Sequence, residues 1–200
     1  SFGENSAWVQ QLGAKDRENR EKMSPLLNSN QTPVHPMRLC KEVRDFIPRN
    51  GILAVDGHEI MNMSRQVIPS FVPGARLNPG PNGCMGVGLP FGVGAKAAAP
   101  DRPVVVLHGD GSLGLNLMEL DTAVRRQLPV LVVVSNNGGW TASPGNNMHV
   151  PGRDLGLVRY DLVAQGLGAY GELVEGPDAV RPAMERAWKE VENGRPALLN

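Results

Sequence analysis

Three stretches of this chain are apolar almost end to end and rich in β-branched residues: "GILAVDG" at 51–57, "PVVVLHGDG" at 103–111 and "LPVLVVVSNNGG" at 128–139. A strand wetted on one face alternates apolar and polar side chains. A strand without that alternation is covered on both faces, and such strands belong to parallel sheets sheathed in helices. The segments between them carry helical periodicity. "MRLCKEVRDFI" sets Leu39, Val43, Phe46 and Ile47 on one face, and "LNLMELDTAVRRQ" does the same with Leu117, Leu120 and Val124. Further helices are expected in "EIMNMSRQVI" up to Pro69, in "MGVGLPFGVGAKAAA" up to Pro100, near "YDLVAQGLG" and in "PDAVRPAMERAWKEVENG". Short extended pieces are expected at "ARLNPG", "YGELVE" and "RPALLN". This order predicts an α/β fold of three layers, αβα, around a mainly parallel sheet.

Residues 1–35 differ from the rest. Trp8 to Met23 is highly charged with few apolar anchors and reads as a surface helix, and "SPLLNSNQTPVHP" reads as linker. The expected division is therefore 1–35, a linker and surface helix from a preceding domain, and 36–200, the functional domain. Because "RPALLN" stops where a buried strand should, the chain is expected to be one domain of a longer polypeptide or one subunit of a split enzyme. Twenty basic and twenty acidic residues cancel, so no net field favours nucleic acid or an anionic membrane. No apolar run approaches the roughly 18 residues needed to span a bilayer. Cys40 and Cys84 form no C-x-x-C pair and read as reduced thiols of a cytoplasmic protein. The 24 Gly and 17 Pro are too many for a plain helical bundle, and they fit tight turns or backbone lying close to a ligand.

In a parallel α/β sheet, ligands sit beyond the carboxyl ends of the strands. Here those loops are "DGHE", "GDGS" and "SNNGGW". Gly109, Gly111 and Gly114 spell G-x-G-x-x-G after a strand, as a dinucleotide-binding loop does. Two features oppose that reading. The next strand ends in Ser-Asn-Asn, without the acidic residue that binds a ribose. Asp110 also sets a carboxylate where a pyrophosphate would need backbone N–H groups. A carboxylate beside a diphosphate is reasonable only with a divalent cation between them. If the two strands lie side by side, an asparagine carbonyl from Asn136-Asn137 can meet Asp110 across the gap, and the Gly138-Gly139 turn leaves backbone carbonyls to join it. Each element alone is an ordinary turn; their occurrence at consecutive strand ends points to a metal.

"GDGSLGLNLMELDTAVRRQLPVLVVVSNN" resembles the thiamine-diphosphate motif, G-D-G followed by N-N. "NGCMGVGLPFGVGAKAA" resembles the matching stretch of acetolactate synthase-like enzymes. Within that superfamily, "VDGHEIMNMSRQ", "MGVGLPFGVGAKAA" and "SNNGGWTA" are most similar to the 2-hydroxyacyl-CoA lyase and oxalyl-CoA decarboxylase branch. The resemblance spans about residues 36–200 and implies the thiamine-diphosphate-binding fold, with thiamine diphosphate and Mg²⁺ as cofactors.

It also implies roles. Asp110 and Asn137 would ligate Mg²⁺ through side chains and Gly139 through its backbone oxygen. Gly109, Gly111 and Ser112 would line the diphosphate, with the N–H groups of Gly111 and Ser112 and the Ser112 hydroxyl as donors. Gly57, His58 and Glu59 fall where related enzymes touch the terminal phosphate; Glu59 is an uncomfortable acid there, and capping the next helix is its alternative. Met85 would hold the bent cofactor conformation that brings the 4′-amino group to the thiazolium ring; read without the motif, it is an ordinary core methionine. Gly83 would accept from that amino group, and Gly86, Gly88, Gly92 and Gly94 would let the following helix pack closely.

Trp140 has either core packing or substrate contact open to it. His149 and Arg153 have either a solvated loop or an anionic substrate, and His35 and His108 read as structural. The activity implied is that of a carbon–carbon lyase acting on 2-hydroxyacyl-CoA, with acetolactate synthase or a 2-oxoacid or oxalyl-CoA decarboxylase as the rival within the cofactor class. A non-catalytic cofactor-binding module is the rival from outside it. The partners implied are an acyl-CoA or 2-oxoacid substrate and the pyrimidine-binding domain of a neighbouring subunit, which supplies a glutamate absent here. That makes the protein a homodimer or homotetramer, and this chain alone inactive.

Overall fold

The computed structural model describes residues 6–140 and 151–200. His149 and most of the loop after Trp140 lie outside the described residues. The strands are β1 (Ile52–Asp56), β2 (Arg76–Leu77), β3 (Val104–Gly109), β4 (Leu131–Ser135), β5 (Tyr170–Glu172) and β6 (Ala197–Leu199). They form one six-stranded sheet in the order β2-β1-β3-β4-β6-β5, and every pairing is parallel.

Helices cover both faces. Leu53, Val55, Val105, Leu107, Leu131 and Val133 point to one side. There they meet α2 (Pro36–Phe46), α3 (Glu59–Val67) and α8 (Pro177–Glu192). Ile52, Ala54, Val104, Val106, Val132 and Val134 point to the other. That side is covered by α4 (Gly88–Ala98), α5 (Asp110–Asn116), α6 (Glu119–Arg125) and α7 (Tyr160–Gly166). Each strand thus divides its apolar residues between two cores by the period of 2, which is why the sequence shows no alternation.

Local chemistry sets the helix ends. Pro36 opens α2, where its missing N–H costs nothing, and His35 Nδ1 caps the turn by accepting from Met37 N at 3.1 Å. Proline follows shortly after α2 and α3, at Pro48 and Pro69. Three elements differ from the sequence expectation. Helix α1 (Ala7–Leu27) runs through Pro25 instead of ending at Met23. Met23 and Leu27 pack against the first core, so tertiary contact at the last turn outweighs the proline. Helix α4 starts at Gly88, not Met85, because Gly86 takes φ 91°, outside the helical region. The single helix expected over 115–127 is two, α5 and α6, broken at Leu117-Met118.

Candidate cofactor and metal site

The strand order reverses between β1 and β3. The chain leaves β1 for β2 on one side, and leaves β3 for β4 on the other. A crevice opens beyond the carboxyl ends at such a switch point. Gly109 pairs with Ser135, so Asp110 and Asn136-Asn137 emerge from adjacent strand ends, as the metal reading requires. Gly57, at φ 112°, lets the β1 loop pass close to β3; a Cβ on it would lie 3.0 Å from Gly109 N.

A pocket occupies this crevice. Gly57, His58 and Glu59 line it from the β1 end, and Gly109, Asp110, Gly111 and Ser112 from the β3 end. Asn137, Gly139 and Trp140 line it from the β4 end, and Met85 from the loop before α4. Ten residues expected at the site from sequence therefore share one wall; Gly83 stands outside it, exposed, in a left-handed turn at φ 62°. Met85 is half-buried and faces this pocket, so it is not an ordinary core residue. A second hollow, near Arg44, Phe71 and Arg76, contains none of the candidates.

Asp110 is the deeply buried acid of the pocket. It is 3% exposed, and its Oδ2 is buried with no hydrogen-bond partner. Burial pushes its pKa above the ordinary carboxylate range, while backbone N–H groups of Gly111, Asp110, Gly139 and Asn137 pull it down. An unpartnered buried carboxylate oxygen is costly unless a cation meets it. Asn137 Oδ1, which accepts from Gly139 N at 3.1 Å, is the neighbouring side-chain oxygen. Hard oxygens at a pocket wall suit Mg²⁺, which takes few protein ligands and completes its shell from phosphate and water. The residues present therefore fit a bound divalent cation.

The floor is a buried polar network that the sequence did not reveal. Asp56 accepts from Gly57 N at 2.7 Å and from Gly88 N at 3.0 Å. His108 Nε2 accepts from Leu89 N at 2.9 Å, which leaves the proton on Nδ1, 2.7 Å from Ser112 Oγ. Desolvation lowers the His108 pKa to about 4, against an opposing pull from Asp56, so the ring is neutral. Ser112 Oγ in turn donates to Gly109 O at 3.0 Å. The Ser112 hydroxyl, expected from sequence to reach a diphosphate, is turned inward, and its backbone N–H is the group left for that role. Tyr160 Oη also donates to Asp110 O at 3.2 Å. The long-range bonds of the network join residues 19 to 50 positions apart: Asp56 to Gly88, His108 to Leu89 and Tyr160 to Asp110; from the sequence His108 reads as structural, but none of these pairings shows there.

Glu59 is in the first turn of α3, and its Oε2 accepts from Asn137 Nδ2 at 3.2 Å. Trp140 lies over Gly111, where a Cβ would come 3.6 Å from the indole. Beyond it the turn is stitched to the returning chain: Trp140 N donates to Arg153 O at 2.8 Å and Leu155 N to Gly138 O at 2.9 Å. Arg153 thus enters the site region through its backbone.

Comparison with known proteins gives a consistent picture. The profile of the family described as "Thiamine pyrophosphate enzyme, C-terminal TPP binding domain" matches residues 59–200. The acetolactate synthase large subunit IlvG of Mycobacterium tuberculosis is 34% identical over 202 residues, covering 98% of this chain and 36% of that protein. The 2-hydroxyacyl-CoA lyase 2 of Homo sapiens is 34% identical over 203 residues, covering 96% and 32%. A solved structure, the thiamine diphosphate-dependent 4-hydroxybenzoylformate decarboxylase of Rhodococcus jostii RHA1, superposes with a TM-score of 0.76 at 28% identity, covering 86% and 33%. The chain spans about a third of the length of the curated relatives it matches.

Proposed function

Because the chain belongs to the thiamine pyrophosphate enzyme family, through that family's C-terminal TPP-binding domain, we propose that it is the diphosphate- and metal-holding part of a carbon–carbon lyase of the 2-hydroxyacyl-CoA lyase type. The carrying observation is the buried, unpartnered Oδ2 of Asp110 at a pocket wall shared with Asn137, Gly139 and Met85. A nicotinamide site has no use for that carboxylate, whereas a metal-bridged diphosphate does.

In this reading Asp110 and Asn137 hold Mg²⁺ with side-chain oxygens and Gly139 adds its backbone oxygen. Gly109, the N–H groups of Gly111 and Ser112, and the β1 loop at Gly57 and His58 surround the diphosphate. Met85, at the pocket wall, would hold the bent cofactor, and the carbonyl of Gly83, on the exposed turn just before it, would accept from the 4′-amino group. Thiamine diphosphate supplies the nucleophilic carbon and the electron sink needed to cleave a bond beside a carbonyl. The neutral His108 fixes α4 to α5, and so sets Met85 relative to the metal. Trp140 shields the Gly111 turn from water. The glutamate that acts on the pyrimidine comes from a neighbouring subunit, so the working unit is at least a homodimer.

The lyase type rests on "GHEIMNMSRQ" and "NGGWTA". Acetolactate synthase is the second reading, favoured by the mycobacterial relative at the same identity. Calorimetry on the full-length protein tests the site. Thiamine diphosphate is expected to bind with Mg²⁺, and to lose that metal-dependent affinity in Asp110→Ala. Binding that ignores metal, or is unchanged in the variant, contradicts the reading. Product analysis then separates the chemistries: formyl-CoA with an aldehyde or ketone from a 2-hydroxyacyl-CoA supports the lyase, acetolactate with CO₂ from pyruvate the synthase, and an aldehyde with CO₂ from a 2-oxoacid a decarboxylase. Tight binding without turnover indicates a non-catalytic module.

A further inference from the structure

Glu59 is the residue in this pocket whose chemistry looks wrong. A carboxylate facing a diphosphate repels it, and no cation is needed at Glu59 if Asp110 and Asn137 already hold one. We infer that Glu59 is a positioning residue for the metal: its carboxylate fixes the side-chain amide of Asn137 with the oxygen, not the nitrogen, presented to the cation. This deepens the metal-site reading above and rests on it.

The two ends of an asparagine amide are nearly isosteric, so its orientation is decided by its partners alone. Glu59 Oε2, on the first turn of a helix 78 residues away in sequence, stands 3.2 Å from Asn137 Nδ2. A carboxylate accepts and has no proton to give, so the face of Asn137 turned to it must be the NH₂. The oxygen is then turned the other way, where it accepts from Gly139 N at 3.1 Å. Asn137 and Asp110 leave adjacent strand ends, where Gly109 pairs with Ser135, and they line one pocket, so this orientation sets two hard oxygens on the same site. Were the amide reversed, two N–H donors would face the cation, and both hydrogen bonds would be lost. Donation from the NH₂ to a carboxylate also draws electron density toward Oδ1, which strengthens it as a ligand. Glu59 is half-buried in the first turn of its helix, so replacing it leaves the cores intact.

The test is Mg²⁺ affinity by calorimetry, and Mn²⁺ affinity by electron paramagnetic resonance. Both use the full-length protein at saturating thiamine diphosphate, as wild type, Glu59→Ala and Glu59→Gln. Loss of an outer partner of a metal ligand weakens binding by about 10- to 100-fold. Glu59→Ala is expected to lose that much. Glu59→Gln, whose Oε1 can still accept, is expected to recover most of it. Metal affinity in Glu59→Ala equal to or tighter than wild type overturns the inference, as does Glu59→Gln as weak as Glu59→Ala, since charge rather than orientation would then be the cause. If wild type itself shows no metal-dependent cofactor binding, the metal site falls, and that outcome is distinct from a wild type that binds and variants that do not differ.

Discussion

Asp161 and Asn200 show how far single side chains reach toward the turn that carries Asn137. Asp161 is 1% exposed and takes a two-pronged ion pair from Arg159, at 2.8 Å from Nε and 2.6 Å from Nη2. Asn200 Nδ2 adds a bond to the same carboxylate at 3.3 Å, and Asn200 Oδ1 accepts from Asn136 Nδ2 at 3.0 Å. Asn136 Oδ1 then accepts from Gly138 N. An ionic anchor near the surface is thereby linked through two amides to the turn that carries Asn137. Arg159 holds the Asp161 carboxyl below its ordinary range, with burial opposing and Asn200 assisting. A depressed folded-state pKa contributes stability that is complete above the unfolded value of about 3.9 and is lost as pH falls through the folded value. Asp161→Asn is therefore expected to cost about 1.5–3 kcal/mol at pH 7, the range for a hydrogen bond to a charged group. Its deficit against wild type should shrink below pH 4 in urea denaturation; a deficit independent of pH would place the effect outside the ion pair. Of this site the sequence displayed Asp110 and Asn137, because each ends an apolar run in a short motif. It hid the support: Asn136 and Asn200 are 64 residues apart, and nothing local marks either as a partner of the other.

At the scale of elements, α4 tests the reading of its glycines. A Cβ on Gly88 would lie 2.6 Å from both Asp56 Cβ and His108 Nε2, and one on Gly92 would lie 2.3 Å from Val106 Cγ2. These two let the helix rest on β1 and β3. Gly94, grouped with them from the sequence, is exposed with nothing within 4 Å of an added Cβ. Gly92→Ala is expected to destabilise by about 1–3 kcal/mol, since Val106 is fully buried in the sheet and cannot give way. Gly94→Ala should stabilise by about 0.5–1 kcal/mol, because alanine restricts the unfolded chain and suits a helix interior. Thermal melts of the two variants should move in opposite directions; a common direction would mean that the α4 contacts are misplaced. The helix period shows which residues share a face, but "GVGLPFGVG" sets glycines on more than one face and does not say which of them meets the sheet. Strands β1, β3 and β4 were the most legible elements, because burial on both faces leaves them apolar up to Asp56, His108 and Ser135. The break at Leu117-Met118 was the least, since the apolar spacing continues across it.

For the molecule as a whole, parallel pairing throughout and a switch point between β1 and β3 place the candidate loops at one end of the sheet, while the hollow near Phe71 lies at the other. Ligands that bind the folded protein only must raise its stability, by about 2.7 kcal/mol at a hundred times the dissociation constant. Thiamine diphosphate and Mg²⁺ together are expected to raise the melting temperature of the full-length protein well beyond either alone, since each completes the other's binding shell. Additive, independent shifts in a melting assay would argue against a shared site. No helix among the described residues is long and apolar enough to cross a membrane. The stem closed by Gly138, Trp140, Arg153 and Leu155 has a consequence for how such a protein can diverge. The backbone bonds of that stem secure the turn that carries Asn137 at the point where the chain departs and again where it returns. Changes in length or composition between those points are then absorbed outside the stem, and the turn that carries Asn137 keeps its geometry.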